Sequence, residues 1–164
     1  MSAPPRTEIF LHPGEYFVGD ASHRLATLLG SCVSVTFWHP AKRIGAMSHF
    51  VLPERAPGAA TGRLDARYGR EAIDLMVSEL LRQGIRPEEC QAKLFGGADM
   101  FATGGRLARV GRDNGEMARK AVREYGAKLA SESLFGERHR KIIFDISTGE
   151  VWVRSAEKTE GKAW

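Results

Sequence analysis

The chain has 164 residues, 43% apolar and 27% charged, with a formal net charge of +4 and a sequence pI near 9.3, which suits one domain with its own hydrophobic core. No apolar run reaches the ~18 residues that cross a bilayer, the first ten residues lack the basic-then-apolar pattern of a secretory signal, and two distant cysteines fit neither a disulfide scaffold nor a standard zinc site. The arginines are scattered and lack the dense patch and aromatic platforms of a nucleic-acid surface, so the expected setting is the reducing cytoplasm, with an acidic protein as the better match to the mild positive charge.

In chain order, residues 3–7 are a proline-bearing lead-in, and residues 1–13 are expected to be loose. Residues 15–19 form a first short strand or turn. Residues 25–29 and 32–38 are apolar and rich in β-branched side chains, so they read as strands on either side of Gly30. A turn at 39–42 leads to 43–52 (RIGAMSHFVL), the returning strand of a hairpin, which Pro53 ends. Residues 54–66 (ERAPGAATGRLDA) are a long, small, polar loop, and loops of that length often bind. In 68–82 the residues Ile73, Met76, Val77, Leu80 and Leu81 recur with helical spacing, and Gly84 and Pro87 mark the stop.

A strand at 91–95 runs into Gly96-Gly97, and 107–110 is a short strand or turn. The second helix is expected over 113–129, with Asp113 and Glu116 at capping-box spacing and Met117, Ala121, Val122 and Tyr125 on its apolar face. Segments 128–134, 140–146 and 150–154 read as a trio of strands with a tight turn at 147–149, before a loose charged tail at 155–164. Strands at both ends with two helices between them make a single α+β domain spanning 1–164.

One stretch carries chemistry. In LATLLGSCVSVTFW, Cys32 stands at a glycine-made kink between two apolar runs. A thiolate is a nucleophile, and an ordinary thiol needs a neighbouring base to supply it at neutral pH. Of the five histidines, His12, His23, His39 and His139 lie in or near turns or in charged segments, whereas His49 lies on the strand that returns beside Cys32. If the turn centres near residue 40 or 41, Cys32 and His49 are opposed across the ladder and share a face. Gly30 lets the backbone bend so that the Cys32 amide faces a developing oxyanion. On the pattern alone, a small core thiol and a hydrogen-bonded core histidine are the commoner reading. Gly96-Gly97 permits close approach of a ligand or of another chain segment, a sharp turn being the simpler local reading, and it lacks the signature of a phosphate loop. Met100 and Phe101 beside it read as core. Cys90, next to two glutamates, is a poor nucleophile and reads as structural.

The segments LLGSCVSV, GAMSHFVLP, YGREAIDLMVSELLRQG, KLFGGADMF, VGRDN and TGEVWV, in this order from about residue 14 to 153, closely resemble the chemoreceptor glutamine deamidase family, CheD. The resemblance implies a layered α/β/β fold with mixed sheets and two main helices, like the bacterial toxin-type glutamine deamidases. It implies conversion of glutamine side chains on methyl-accepting chemoreceptors to glutamate, with release of ammonia and without a metal or organic cofactor. Cys32 is then the nucleophile, His49 its base, and Gly30, Ser31, Ser48, Gly96 and Gly97 the substrate or oxyanion region. A threonine completes the set. Thr27, five positions before Cys32, is the nearest candidate, while the six-position spacing of one family member falls on Ala26. Implied partners are receptor cytoplasmic helices, gripped by the 54–66 loop and its basic surroundings, and for some members a CheC-type phosphatase. A non-catalytic chemotaxis regulator is the alternative that Ala26 keeps open, and no sequence feature favours a papain-like protease.

Overall fold

The computed structural model describes residues 5–59, 62–100, 109–155 and 162–163. Ten strands and two helices follow in order: β1 (Thr7–Phe10), β2 (Tyr16–Gly19), β3 (His23–Leu29), β4 (Val33–His39), β5 (Ile44–Ser48), α1 (Gly69–Arg82), β6 (Gln91–Gly96), α2 (Val110–Glu124), β7 (Lys128–Leu134), β8 (Arg140–Asp145), β9 (Val151–Ser155) and β10 (Lys162–Ala163). They form two five-stranded sheets, ordered β1-β3-β8-β9-β10 and β2-β5-β4-β6-β7. Each is mixed: β1 runs parallel to β3 and β6 parallel to β7, while the other pairs are antiparallel. No described helix is long and apolar enough to cross a membrane.

The layers follow from side-chain alternation. Along β4, Val33, Val35 and Phe37 face Ile73, Met76 and Leu80 of α1 and Ala118, Ala121 and Val122 of α2 in one core. Cys32 and Trp38 turn to the other side, where Met47 and Phe95 meet Leu25, Leu29, Ile142 and Phe144 of the first sheet. A strand covered on both faces tolerates no charge, and the polar positions that alternate along β4, Ser34 and Thr36, are small and buried. The arrangement is α/β/β, with helices over the second sheet and the first sheet beneath it. The first sheet turns its outer face to solvent, where Leu28 and Trp152 are exposed.

Several elements differ from their sequence expectation. The strands on either side of Gly30 belong to different sheets, so the kink there is a crossing between layers. The hairpin of β4 and β5 is present, but its turn spans residues 40–43, with Arg43 in the left-handed region at φ 49°. Helix α2 starts at Val110, which places Asp113 in the first turn, and the N-cap Arg109 makes no side-chain capping bond. The helix stops at Glu124, after which Gly126 at φ +78° turns the chain directly into β7. The expected trio of strands is split: β7 joins β6 in the second sheet, through a parallel crossover over α2, while β8 and β9 pair in the first. The segment expected to be a loose lead-in carries β1, paired with β3. The readings made for Phe101 and for residues 107–108, and most of the tail at 155–164, fall outside the described residues.

Candidate active site

Three residues carry the chain from β3 to β4, and each of their carbonyls is held. Ala98 N donates to Gly30 O at 2.9 Å and Gly97 N donates to Cys32 O at 2.9 Å. Asn114 Nδ2 donates to Ser31 O at 3.0 Å. Gly96 and Gly97 are both left-handed, at φ +105° and +67°. A Cβ on Gly96 would run into the Cys32 carbonyl oxygen, and one on Gly97 would stand 2.7 Å from Gly111 O. The close approach these glycines permit is therefore to the backbone of Cys32 itself, and to α2 behind it. Neither the Ser31 nor the Cys32 amide donates to another described residue.

The β4–β5 register pairs Thr36 with Met47 and His39 with Ile44, and a further bridge pairs Val33 with Phe50. Continued past β5, it sets His49 against Ser34. Cys32 is therefore a diagonal neighbour of His49 and not its opposite number. A slip of two residues keeps both side chains on one face, with no hydrogen bond between Cys32 and His49 Nε2. That face looks toward the first sheet, where Thr27 points inward from β3. Thr27 Oγ1 and His49 Nδ1 lie 2.6 Å apart. The Thr27 hydroxyl donates its one proton to Leu11 O at 2.7 Å. It must then accept from the ring, so His49 carries its proton on Nδ1 and leaves a lone pair on Nε2. Nε2 is buried and has no partner among the described residues.

The electrostatics fit a neutral base. Burial, with His12 nearby, pushes the His49 imidazole down to about 4, against a smaller opposing pull from Glu15. Burial also raises the Cys32 thiol above its ordinary value. At neutral pH the two groups stand as thiol and imidazole, and an ion pair is disfavoured in this desolvated site. His49 is only 3% exposed and Thr27 is fully buried, while Cys32 is partly open to solvent. The main chain of His49 is pinned by Gly14 N donating to its carbonyl at 2.8 Å and by its own N–H donating to Glu15 O at 3.0 Å.

Ser48, expected in the substrate region, faces the other way. It is buried, its Oγ accepts from Val35 N at 3.2 Å, and it serves the β4–β5 ladder. Cys90 is buried with its Sγ near Arg86 O, and desolvation together with Glu89 and Glu88 lifts its thiol to about 11, so it is inert at neutral pH. His139, passed over in the sequence, packs against Gly30. Asn114 was also passed over. Its signal was a lone amide three, four and seven residues before Met117, Ala118 and Ala121, on the buried side of α2. A cavity of about 660 Å³ is lined by Gly14, Glu15, Arg55, Arg63, Asp65 and Arg67 among others. It lies beside the residues that hold the His49 backbone. Its arginines are partly neutralised: Arg55 pairs with Glu71 at 2.8 Å and Arg67 with Asp65 at 2.7 Å.

A half-open thiol, an imidazole with a free Nε2 on the same face, and a hydroxyl fixing Nδ1 make an arrangement suited to thiol-dependent acyl transfer. The comparisons point the same way. The family model described as CheD chemotactic sensory transduction matches residues 51–155. The chain is 55% identical over 147 residues, 88% of its length and 85% of the relative's, to the probable chemoreceptor glutamine deamidase CheD 2 of Albidiferax ferrireducens. It is 45% identical to the probable chemoreceptor glutamine deamidase CheD 3 of Dechloromonas aromatica, over 93% of this chain and 91% of that one. It is 40% identical to the CheD 1 protein of Chromobacterium violaceum, over 96% and 82%. The chain belongs to the CheD family. A crystal structure of the hypothetical protein YfiH of Bacillus licheniformis overlays with a TM-score of 0.41 and 14% identity, covering 74% of this chain and 57% of that one, a likeness too distant to carry a functional reading.

Proposed function

We propose that this chain is a chemoreceptor glutamine deamidase, hydrolysing the carboxamide of selected glutamines on methyl-accepting chemoreceptors to glutamate and ammonia. The observation that carries the mechanism is the Thr27–His49 hydrogen bond, because it sets the imidazole as a base toward the face that Cys32 shares. The Cys32 Sγ attacks the carboxamide carbon as His49 Nε2 takes the thiol proton. The oxyanion forms against the outward Cys32 amide. His49 then returns the proton to the departing nitrogen, which leaves as ammonia, and a thioester remains. His49 Nε2 then deprotonates a water that attacks the thioester and passes that proton to the leaving Cys32 sulfur, releasing glutamate and the free thiol.

Thr27 fills the third role although it stands one position from the spacing of one family member, and its bond to His49 supports that assignment over a binding-only regulator. The α/β/β layering supports the likeness to toxin-type deamidases that the resemblance implied. A cytoplasmic setting and a CheC-type phosphatase as second partner belong to the same proposal and rest on the family resemblance. The deciding experiment is intact mass measurement of a receptor cytoplasmic fragment after incubation with wild type and with Cys32→Ala. A gain of about one mass unit per modified glutamine, from wild type alone, is expected of a thiol amidohydrolase. An equal gain from Cys32→Ala would remove Cys32 from the chemistry.

The 54–66 loop and the cavity beside His49 are proposed to grip the substrate helix. Arg63 is the cavity arginine with no ion pair among the described residues. Reversing Arg63→Glu together with Arg67→Glu should raise KM for a receptor fragment, more at low salt than at high salt. An unchanged KM at both salts would discard the grip.

A further inference from the structure

We infer that Asn114 is a positioning residue for the oxyanion donor: it fixes the Ser31–Cys32 peptide plane and thereby aims the Cys32 N–H at the reacting carbonyl. The inference rests on the deamidase reading above and adds a group that the reading did not include. In a trans peptide, the carbonyl of one residue and the amide of the next point in opposite directions, and there are no cis peptides among the described residues. Pinning the Ser31 carbonyl inward therefore sends the Cys32 N–H outward. The pin is the Asn114 side chain, fully buried in α2, whose Nδ2 donates at 3.0 Å to Ser31 O.

The same nitrogen donates at 2.9 Å to Val51 O, two residues beyond His49. Both protons of one amide are thus shared between the segment carrying the nucleophile and the segment carrying the base. No other described side chain reaches both. The neighbouring plane is held in the same sense, since Ala98 N takes the Gly30 carbonyl and leaves the Ser31 N–H facing outward as well. Asn114 Oδ1, by contrast, is buried without a partner among the described residues.

The glycine at 111, one turn earlier on α2, lets the helix approach closely enough for this reach. A Cβ there would collide with the Ala98 carbonyl. Helix α2, the Gly96-Gly97 turn and the Cys32 crossing form one stack, with Asn114 as its side-chain contact to the nucleophile loop.

The test compares wild type with Asn114→Ala in two reactions. One is deamidation of a receptor fragment, which builds an oxyanion. The other is alkylation of Cys32 by iodoacetamide, in which sulfur displaces iodide and no oxyanion forms. An oxyanion-positioning role predicts a kcat for deamidation lower by about 100-fold, with KM and the alkylation rate within about threefold of wild type. An unchanged kcat would overturn the inference. So would alkylation falling in step with deamidation, because that pattern means collapse of the loop. Should Asn114→Ala fail to fold, Asn114→Asp keeps the shape and replaces the donors, and the same two rates decide. Loss of fold in both variants would also overturn it, assigning Asn114 to the fold. A folded wild type that leaves the fragment unmodified would fail the deamidase reading and take this inference with it, a different result from an active wild type matched by its variant.

Discussion

At the scale of single residues, the site turns on a proton count. His49 titrates near 6.5 when exposed and is pushed down to about 4 in the fold. The unfolded chain therefore binds the extra proton first as pH falls, so the native state is fully favoured above about pH 6.5 and loses ground between there and about pH 4. By linkage the loss amounts to roughly 3 kcal/mol. Urea unfolding at pH 7 and pH 4.5 should show it in wild type and not in His49→Gln, once the shared background is subtracted. Equal losses in both would mean that His49 is not the neutral buried base described above. Cys32, His49 and Cys90 could be singled out in the sequence by residue type and local context alone. The tautomer was not legible, because it is set by the Leu11 carbonyl, sixteen positions from Thr27 and on a segment expected to be loose. Ser48 was misread for a local reason: adjacent strand positions face opposite ways, and a motif that names both hides which one turns toward the site.

The elements show why the Cys32 crossing needs two successive glycines behind it. Gly96 and Gly58 both sit in the left-handed region, at φ +105° and +81°, yet Gly58 has nothing within 4 Å of a would-be Cβ whereas Gly96 abuts Cys32. Gly58→Ala should therefore cost only the backbone penalty, about 1 kcal/mol, and leave activity intact. Gly96→Ala adds a clash with the Cys32 carbonyl and should cost several kcal/mol along with most of the activity. Thermal melts and deamidation rates of the two variants check this, and matching behaviour would count against the cradle. The sequence showed that Gly96-Gly97 allows close approach but not to what, since the partner lies more than sixty positions away. For the same reason α1 was readable from its repeat while the destination of β7 was not. Hydrophobic alternation identifies a strand without saying which of two sheets it joins.

On the scale of the whole molecule, the site exists only where two sheets meet. Thr27 comes from the first sheet, and His49 and Cys32 come from the ends of strands in the second. Strand β1 closes the set from outside, since the residue following it, Leu11, supplies the carbonyl that orients Thr27. Removing residues 1–11 should lower kcat by ~10-fold or more through loss of the fixed tautomer, with a smaller effect on KM. Full activity in the truncated chain would show that Thr27 holds the imidazole without help. The α+β class could be read from the order of the elements. The α/β/β layering was implied by family resemblance, and the crossing that builds the site emerged only in three dimensions. The seam between the sheets also carries its own optical gauge. Trp38 of β4, in the second sheet, reaches across to donate its indole N–H at 2.8 Å to Ile146 O beside the β8–β9 turn of the first. Its ring fills the space where Gly149 lacks a side chain. Any parting of the layers wets that indole and reddens its emission, so fluorescence from Trp38 reports, without a label, whether the two sheets are in register.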